Sequence, residues 1–378
     1  MYQQNLVYVI DSLGAGGAER ALLNVLPEVR RHYDSVVVVV LFTESDLLAE
    51  YLSQDITVIQ MKFSRRWNLF ANSWALGKIL KAQQADIVHA HLIFSGIYLG
   101  LTRFMGLRCK RVITFHNLAY VKGCNPRNLS YFLRKSLNWL LLSTCYSQFV
   151  AVSSAVADHY SQNLRIDRAK IEVIGNGLVA ADFEGRRLSN DLTGGSRTII
   201  AVGRLVPEKG YSYLIEAFEK LSHRFSATLQ LQIIGDGPLR SELESKSAAL
   251  GLSERVEFCG SIAHEQVVEK LSAADFFVLA SVFEGFGLAV AEAILMQLPV
   301  VVTNVGGVMD VVDPVFAEIV EAADADGLAD AIERVLLLDA KQLQDRAKVA
   351  RNHVEQKFSS RSIASQLSQL YQHGSYAD

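Results

Sequence analysis

The stretch "FFVLASVFEGFGLAVAEAILMQLPVVVT", residues 276–303, decides how the rest of the chain is read. A short aromatic and aliphatic run leads into "VFEGFG", whose two glycines mark a tight turn. "LAVAEAILMQ" then carries a helical pattern that Pro299 stops, and "PVVVT" is a second β-rich run. Both runs are continuously apolar rather than alternating, which predicts strands buried on both faces of a parallel sheet. Two carboxylates interrupt this apolar stretch: Glu284 in the turn and Glu292 in the second turn of the helix. A carboxylate among core-forming residues is costly unless something pairs with it.

The same form recurs along the chain. The runs "LVYVI", "VVVVVLF", "TVIQM", "DIVHAH", "RVITFH", "FVAVS" and "IEVIG" fill the first half. "TIIAVG", "LQLQIIG", "VEFCG", "FFVLAS", "PVVVT" and "AEIV" fill the second, with helical patterns such as 208–224 and 238–250 between them. Two doubly wound α/β domains of Rossmann type follow, with ligands expected beyond the carboxyl ends of the strands in a cleft between them. The expected boundaries are 1–183 and 197–357, joined by the polar, glycine-bearing segment 184–196. The tail "SSRSIASQLSQLYQ" is an amphipathic helix with Ser359 as its cap, expected over 359–373 and packed back on the N-terminal domain.

At 378 residues, half of them hydrophobic and a fifth charged, the chain reads as globular and too long for a single core. Four scattered cysteines, with no CxxC spacing, argue against a disulfide framework or zinc ribbon and fit a reducing cytoplasm. No signal peptide is expected, because the first apolar run reads as a strand. Residues 136–157 carry no charge, but their many hydroxyl and amide side chains predict a helix followed by a strand rather than a membrane span.

The net charge of −3 hides an asymmetry: residues 1–185 hold 19 Lys+Arg against 14 Asp+Glu, and the remainder hold 18 against 26. No acidic residue falls between Asp86 and Asp158, whereas Arg103, Arg108, Lys110, Arg111, Lys122, Arg127, Arg134 and Lys135 do. That stretch is either a solvated basic face or a surface for anionic lipid or a phosphate-bearing acceptor.

The candidate site is built from strand ends. The start of the helix after "VFEGFG" offers unpaired N–H groups and a positive dipole end, which suit a phosphate. Glu284 and Glu292 beside it are acceptor-only groups that suit sugar hydroxyls. The alternative makes Glu284 a helix cap and Glu292 a satisfied helix-surface residue. "AVGRLVPEKG" places Arg204 just past a strand and Lys209 five residues later, a pair able to neutralise a diphosphate without a metal. Ser261 and Ile262 in "FCGSIAHEQV" are weaker candidates for backbone contacts to a nucleobase.

In the first half, Gly16 and Gly17 of "DSLGAGGAER" lie where strand meets helix and allow close backbone approach, although no GxGxxG is completed. His116 and Asn117 end the strand "VITFHN". His89, His91 and His116 make a poor zinc set because the first two are strand neighbours with no carboxylate nearby. "DAD" at Asp324 and Asp326 could be taken for a metal–diphosphate motif, but Asp326 is expected instead to cap the following helix.

These motifs in this order resemble glycosyltransferase family 4, the retaining nucleotide-sugar transferases of GT-B fold. The resemblance spans essentially the whole chain and rests on "GGAER", "TFHN", "VSSAVADHY", "VIGNGL", "VGRLVPEKG", "GDGPLR" and above all "EGFGLAVAE". It implies that Glu292 holds the donor ribose and Glu284 the transferred sugar. Arg204 and Lys209 would grip the diphosphate, helped by backbone N–H groups of Phe286, Gly287 and Leu288. Gly16 and Gly17 would close over the phosphates, and His116 would touch the sugar near the reacting carbon. It also implies transfer with retention, no metal and no cofactor. Three departures stand out: Gln297 where the family often has glycine, Asp310 where a glutamate is frequent, and a short loop before "FAEIV".

The expected partners are a nucleotide sugar, with a UDP-sugar favoured over GDP-mannose, and a saccharide acceptor that is free or lipid-linked. No nucleic acid is expected. "KFSRRWNLFANSW", residues 62–74, sets cations beside Trp67, Phe70 and Trp74, a composition suited to an anionic membrane surface. The expected location is therefore the cytoplasm, peripheral on the inner face of the cytoplasmic membrane. A soluble small-molecule acceptor is the alternative, and an epimerase or binding module of GT-B type is a third reading.

Overall fold

The computed structural model describes residues 2–118, 129–183, 197–225 and 229–372. The expected linker 184–196, Lys122, Arg127 and the side chain of Arg134 lie outside the described residues.

All thirteen apolar runs are strands. The first seven are β1 (Tyr2–Ile10), β2 (Tyr33–Val40), β3 (Thr57–Gln60), β4 (Ile87–His91), β5 (Lys110–Phe115), β6 (Gln148–Ala151) and β7 (Ile171–Val173). They form one parallel sheet in the order β3-β2-β1-β4-β5-β6-β7. The second sheet holds β8 (Arg197–Val202), β9 (Leu229–Ile234), β10 (Val256–Gly260), β11 (Phe276–Leu279), β12 (Val300–Thr303) and β13 (Ala317–Val320). It is parallel throughout, in the order β10-β9-β8-β11-β12-β13. Parallel neighbours need crossovers, which the intervening helices supply. Both orders reverse direction beside the first strand of the sheet, between β1 and β4 and between β8 and β11. Loops leaving adjacent strands diverge at such a switch point and leave a crevice there.

Compact units divide the chain at residues 178 and 358. One is 1–178 with 358–378, and the other is 179–357. The helix Ser360–Gln372 thus belongs to the first unit, with Ser359 Oγ accepting from Ser362 N at its start (3.4 Å). It buries Ile363, Ala364, Leu367, Leu370 and Tyr371. Its last carbonyls are capped by a buried cation: Lys110 Nζ donates to Leu370 O at 3.0 Å and Tyr371 O at 2.8 Å. Burial lowers that ammonium to about 8, and a cation at a helix C-terminus is favourably placed against the dipole.

Three local expectations are corrected. The helical pattern over 208–224 is two elements: a 3-10 turn Pro207–Lys209 and a helix Tyr211–Arg224, parted by Gly210 at φ +62°. A Cβ at 210 would lie 2.0 Å from Ala280 O, so the close approach of the β8 loop to the end of β11 requires glycine. The pattern over 238–250 yields the shorter helix Arg240–Ala249. In "DAD" the cap is Asp324, whose carboxylate accepts from Gly327 N at 2.8 Å, while Asp326 instead pairs with Lys220. The uncharged segment 136–157 is the end of helix Leu129–Cys145 followed by β6 and the start of the next helix. No helix among the described residues is long and apolar enough to cross a membrane.

Gln297 adopts the left-handed conformation, at φ +59°. An L side chain there costs about 1 kcal/mol. Gln297→Gly should therefore raise stability by roughly 0.5 kcal/mol once the greater freedom of glycine in the unfolded chain is subtracted. A urea titration followed by far-UV circular dichroism measures this, and a lower midpoint for the variant would contradict it.

Candidate active site

In the second unit the switch point brings the predicted residues together. Lys209 closes the 3-10 turn after β8, and Glu284 lies in the turn after β11. Their side chains form an ion pair, Nζ to Oε2 at 2.5 Å, with 22% and 16% of each exposed. The backbone reinforces it, because Val282 N donates to Glu208 O at 2.8 Å. The other Glu284 oxygen accepts from Gly285 N at 3.2 Å. Sequence placed both residues at strand ends but gave no sign that they pair with each other. Arg204 is exposed at the same end of β8.

The helix Leu288–Leu295 starts at Gly287, which sits at φ +90°, a conformation favouring glycine. No side chain caps this helix start, which lies beside Phe286 and Leu288. Glu292 is 7% exposed on this helix and is among the most buried carboxylates of the described residues. Ser261 and Ile262 follow β10 at the carboxyl edge of the same sheet, with Ser261 exposed.

In the first unit, Gly16 caps the helix Gly17–Arg30 and faces Glu19, three residues on. A Cβ on Gly16 would meet Glu19 Oε2 at 2.3 Å, so the glycine makes room for the carboxylate. Burial raises the Glu19 carboxyl, and the nearby Asp11 charge adds to this. Asp11, which sequence reading missed, leaves the end of β1 and accepts from Ser95 N (2.7 Å) and Phe94 N (3.2 Å). Burial raises it to about 6 even against those donors. Between β4 and the helix Ile93–Leu101 stands Leu92, at φ +75° and ψ −178°. That region is essentially reserved for glycine and costs an ordinary residue about 1–3 kcal/mol.

His116 and Asn117 follow β5. Asn117 is exposed and His116 partly so. The imidazole nitrogens of His116 are nonetheless turned inward: Nε2 meets His91 Nδ1 at 2.8 Å, and Nδ1 is buried. His89 bonds to Tyr371 Oη at 2.5 Å and Thr114 Oγ1 at 2.7 Å, and Tyr371 Oη meets Tyr8 Oη at 3.0 Å. Burial lowers His89 to about 3 and His116 to about 4, and holds His91 well below the ordinary imidazole range. "HAH" is thus one part of a buried hydrogen-bonded array. Among the described residues no group of three or more His, Cys, Asp or Glu is placed to hold a metal ion.

Two parallel-sheet α/β units of this topology make the fold GT-B. The chain belongs to glycosyltransferase family 4: residues 183–353 match "Glycosyl transferases group 1" and residues 15–181 match "Glycosyltransferase Family 4". It is 29% identical over 309 residues to the Escherichia coli UDP-Gal:alpha-D-GlcNAc-diphosphoundecaprenol alpha-1,3-galactosyltransferase, covering 79% of this chain and 78% of that one. It is 30% identical over 274 residues to the phosphatidylinositol N-acetylglucosaminyltransferase GPI3 subunit of Saccharomyces cerevisiae. That match covers 68% of this chain and only 57% of the yeast subunit. Among solved structures, Anabaena HepE in complex with UDP and glucose superimposes with a TM-score of 0.82 at 20% identity, covering 98% of this chain and all of that one.

Proposed function

We propose that this glycosyltransferase moves a hexose-type sugar, with retention, from a UDP-sugar to a lipid-linked saccharide acceptor. The observation that carries the donor assignment is the cluster at the second switch point: Lys209, Glu284, Arg204 and an uncapped helix start on adjacent strand ends. As the bond from the anomeric carbon to the diphosphate breaks, negative charge gathers on the leaving group. Arg204, Lys209 and the N–H groups of Phe286 to Leu288 are pre-placed to take it up without a metal. Glu284 then exchanges its partner Lys209 for sugar hydroxyls, and Glu292 holds the ribose. The acceptor hydroxyl attacks on the face the leaving group vacates, and its proton passes to the departing phosphate oxygen. Gly16, Gly17, Asn117 and, since both its ring nitrogens are turned inward, the backbone and ring edge of His116 are the proposed contributions of the first unit. UDP and UDP-glucose in the HepE structures, and the UDP-galactose named for the E. coli relative, favour UDP over GDP-mannose. Incubation with a panel of nucleotide sugars, with and without membrane extract, tests this by release of nucleoside diphosphate and a labelled product. Release without a glycosylated product would favour hydrolysis or simple binding and sink the transferase reading.

The lipid-linked acceptor is supported by the surface of the first unit. On the helix Leu69–Ala82, Phe70 (84% exposed), Trp74 (54%), Lys78 and Lys81 form one outward stripe. The Lys78 ammonium stands 3.4 Å from the centroid of the Trp74 ring. Trp67 (55%) precedes this helix, and Phe104 (74%) lies beside it, since neighbouring Met105 packs on Gly77. Arg66 is committed elsewhere, to Glu44 at 3.4 Å and the face of Phe42, whereas Lys62, Arg65, Lys78 and Lys81 are exposed cations of this region. Basic and aromatic groups so mixed suit an anionic interface. The protein should sediment with vesicles containing anionic lipid at low salt, and F70S/W74S should lose most of that binding. Equal sedimentation with neutral vesicles, or none with either, would discard the membrane surface.

A further inference from the structure

We propose that His91 is a positioning residue for His116, and that the small cavity the two rings line is a site for ordered water that completes their hydrogen bonding. Each ring spends one nitrogen on the other, Nδ1 of His91 against Nε2 of His116 at 2.8 Å. Each is then left with one nitrogen, His91 Nε2 and His116 Nδ1, buried and without a partner. Such a buried polar atom is unfavourable if nothing meets it. Both histidines line a cavity of about 30 Å³ that Tyr8, His89, Thr114 and Asn176 also border, under an otherwise apolar wall. A water needs roughly 10–15 Å³ of such space and two to four polar partners. The cavity offers both.

The geometry has a consequence in protons. Both rings are neutral, since burial depresses each, and a hydrogen bond between neutral imidazoles needs one donor and one acceptor. If His91 donates from Nδ1, His116 must carry its own proton on Nδ1. If His116 donates from Nε2, His91 must carry its proton on Nε2. The two rings therefore share one tautomer and change it together, and in either state they present one N–H and one lone pair to the cavity. His89 is under no such constraint, because its partners are the hydroxyls of Tyr371 and Thr114, which can donate or accept. The backbone fixes the arrangement: Leu92, next to His91, is the residue held at φ +75°, and Ser95 Oγ donates to His91 O.

The kinetic part of the test rests on the transferase reading, whereas the spectroscopic part does not. Protein labelled with ¹⁵N-histidine and free of substrate is examined at pH 7.5 by two-bond ¹⁵N–¹H correlation. His91→Asn and His116→Asn assign the signals. Both rings should be neutral and protonated on the same nitrogen type, both Nδ1 or both Nε2. Unlike tautomers, or an imidazolium on either ring, would overturn the proposal. In turnover with a UDP-sugar, His91→Leu should lower kcat roughly 10- to 100-fold through misplacement of His116, with the donor KM little changed. His91→Asn should restore most of it, because an amide can stand at the Nδ1 position as donor or acceptor. His91→Leu as active as the parent would overturn the positioning role. If that variant does not fold, the parent spectrum and His91→Asn decide. A crystal structure with a dry cavity would remove the water. A protein inactive with every donor but showing matched tautomers would refute the transferase reading alone.

Discussion

Lys209→Met should lower turnover by roughly 100- to 1,000-fold, the range seen when one pre-placed donor to a developing anion is removed. Lys209 stands one strand from Glu284 at the switch point and is mostly shielded from water, so its charge is little screened there. Part of any loss in that variant will come from leaving Glu284 unpaired in a half-buried place. A double-mutant cycle with Glu284→Gln separates the two contributions. The ion pair predicts strong coupling, with the double variant losing much less than the product of the single losses. Arg204→Met, which leaves the pair intact, should lower turnover without showing that coupling to Glu284. Activity within a few-fold of the parent for Lys209→Met would exclude its ammonium from the reaction.

Stability of the first unit should fall as the pH drops from 7 to 5. His89 is fully buried and titrates near 3 in the native protein, against about 6.5 in an unfolded chain. Below 6.5 the unfolded chain binds a proton that the native state refuses, and the loss continues until the native group itself titrates. His89 alone accounts for about 2 kcal/mol by pH 5. His91 and His116 act in the same sense. Asp11 and Glu19, both raised, act in the opposite sense and offset part of the fall. All three tryptophans, at 67, 74 and 139, lie in the first unit, so their fluorescence follows its unfolding in urea. A midpoint unchanged or higher at pH 5 would show that the histidine array is not the dominant titrating feature.

Much of this architecture is legible in the chain because strands covered on both faces need no polar alternation. "VVVVV" and "FFVLA" betray themselves by composition alone. The strand-end positions of Arg204, Lys209 and Glu284, and the place of Glu292 on the helix that follows, came from the same reading. Pairings across the sheet were less accessible. Nothing in residues 209 and 284, 75 positions apart, announces an ion pair. The spacing of His89 and His91 puts both on one face of a strand, but only the register of β4 against β5 brings His116 to them. The break at Gly210 was hidden because the obstacle, Ala280 O, belongs to another strand. Asp324 rather than Asp326 caps its helix because the helix starts at Ala325, which leaves Asp326 inside the first turn, paired with Lys220. Local patterns carried the elements, and contacts between distant segments decided the details.

The return of the helix Ser360–Gln372 to the first unit bears on how the molecule is made. Its apolar face, the Tyr371 hydroxyl that reaches His89, and the carbonyls held by Lys110 complete a body whose strands β1 to β7 are all made before segment 179–357. Domains ordinarily fold in order of synthesis, the earliest first. Here the intervening segment 179–357 is complete and free to fold while the opening half still lacks its closing helix. The later-made body can mature first, and the earlier one waits for the helix made after it.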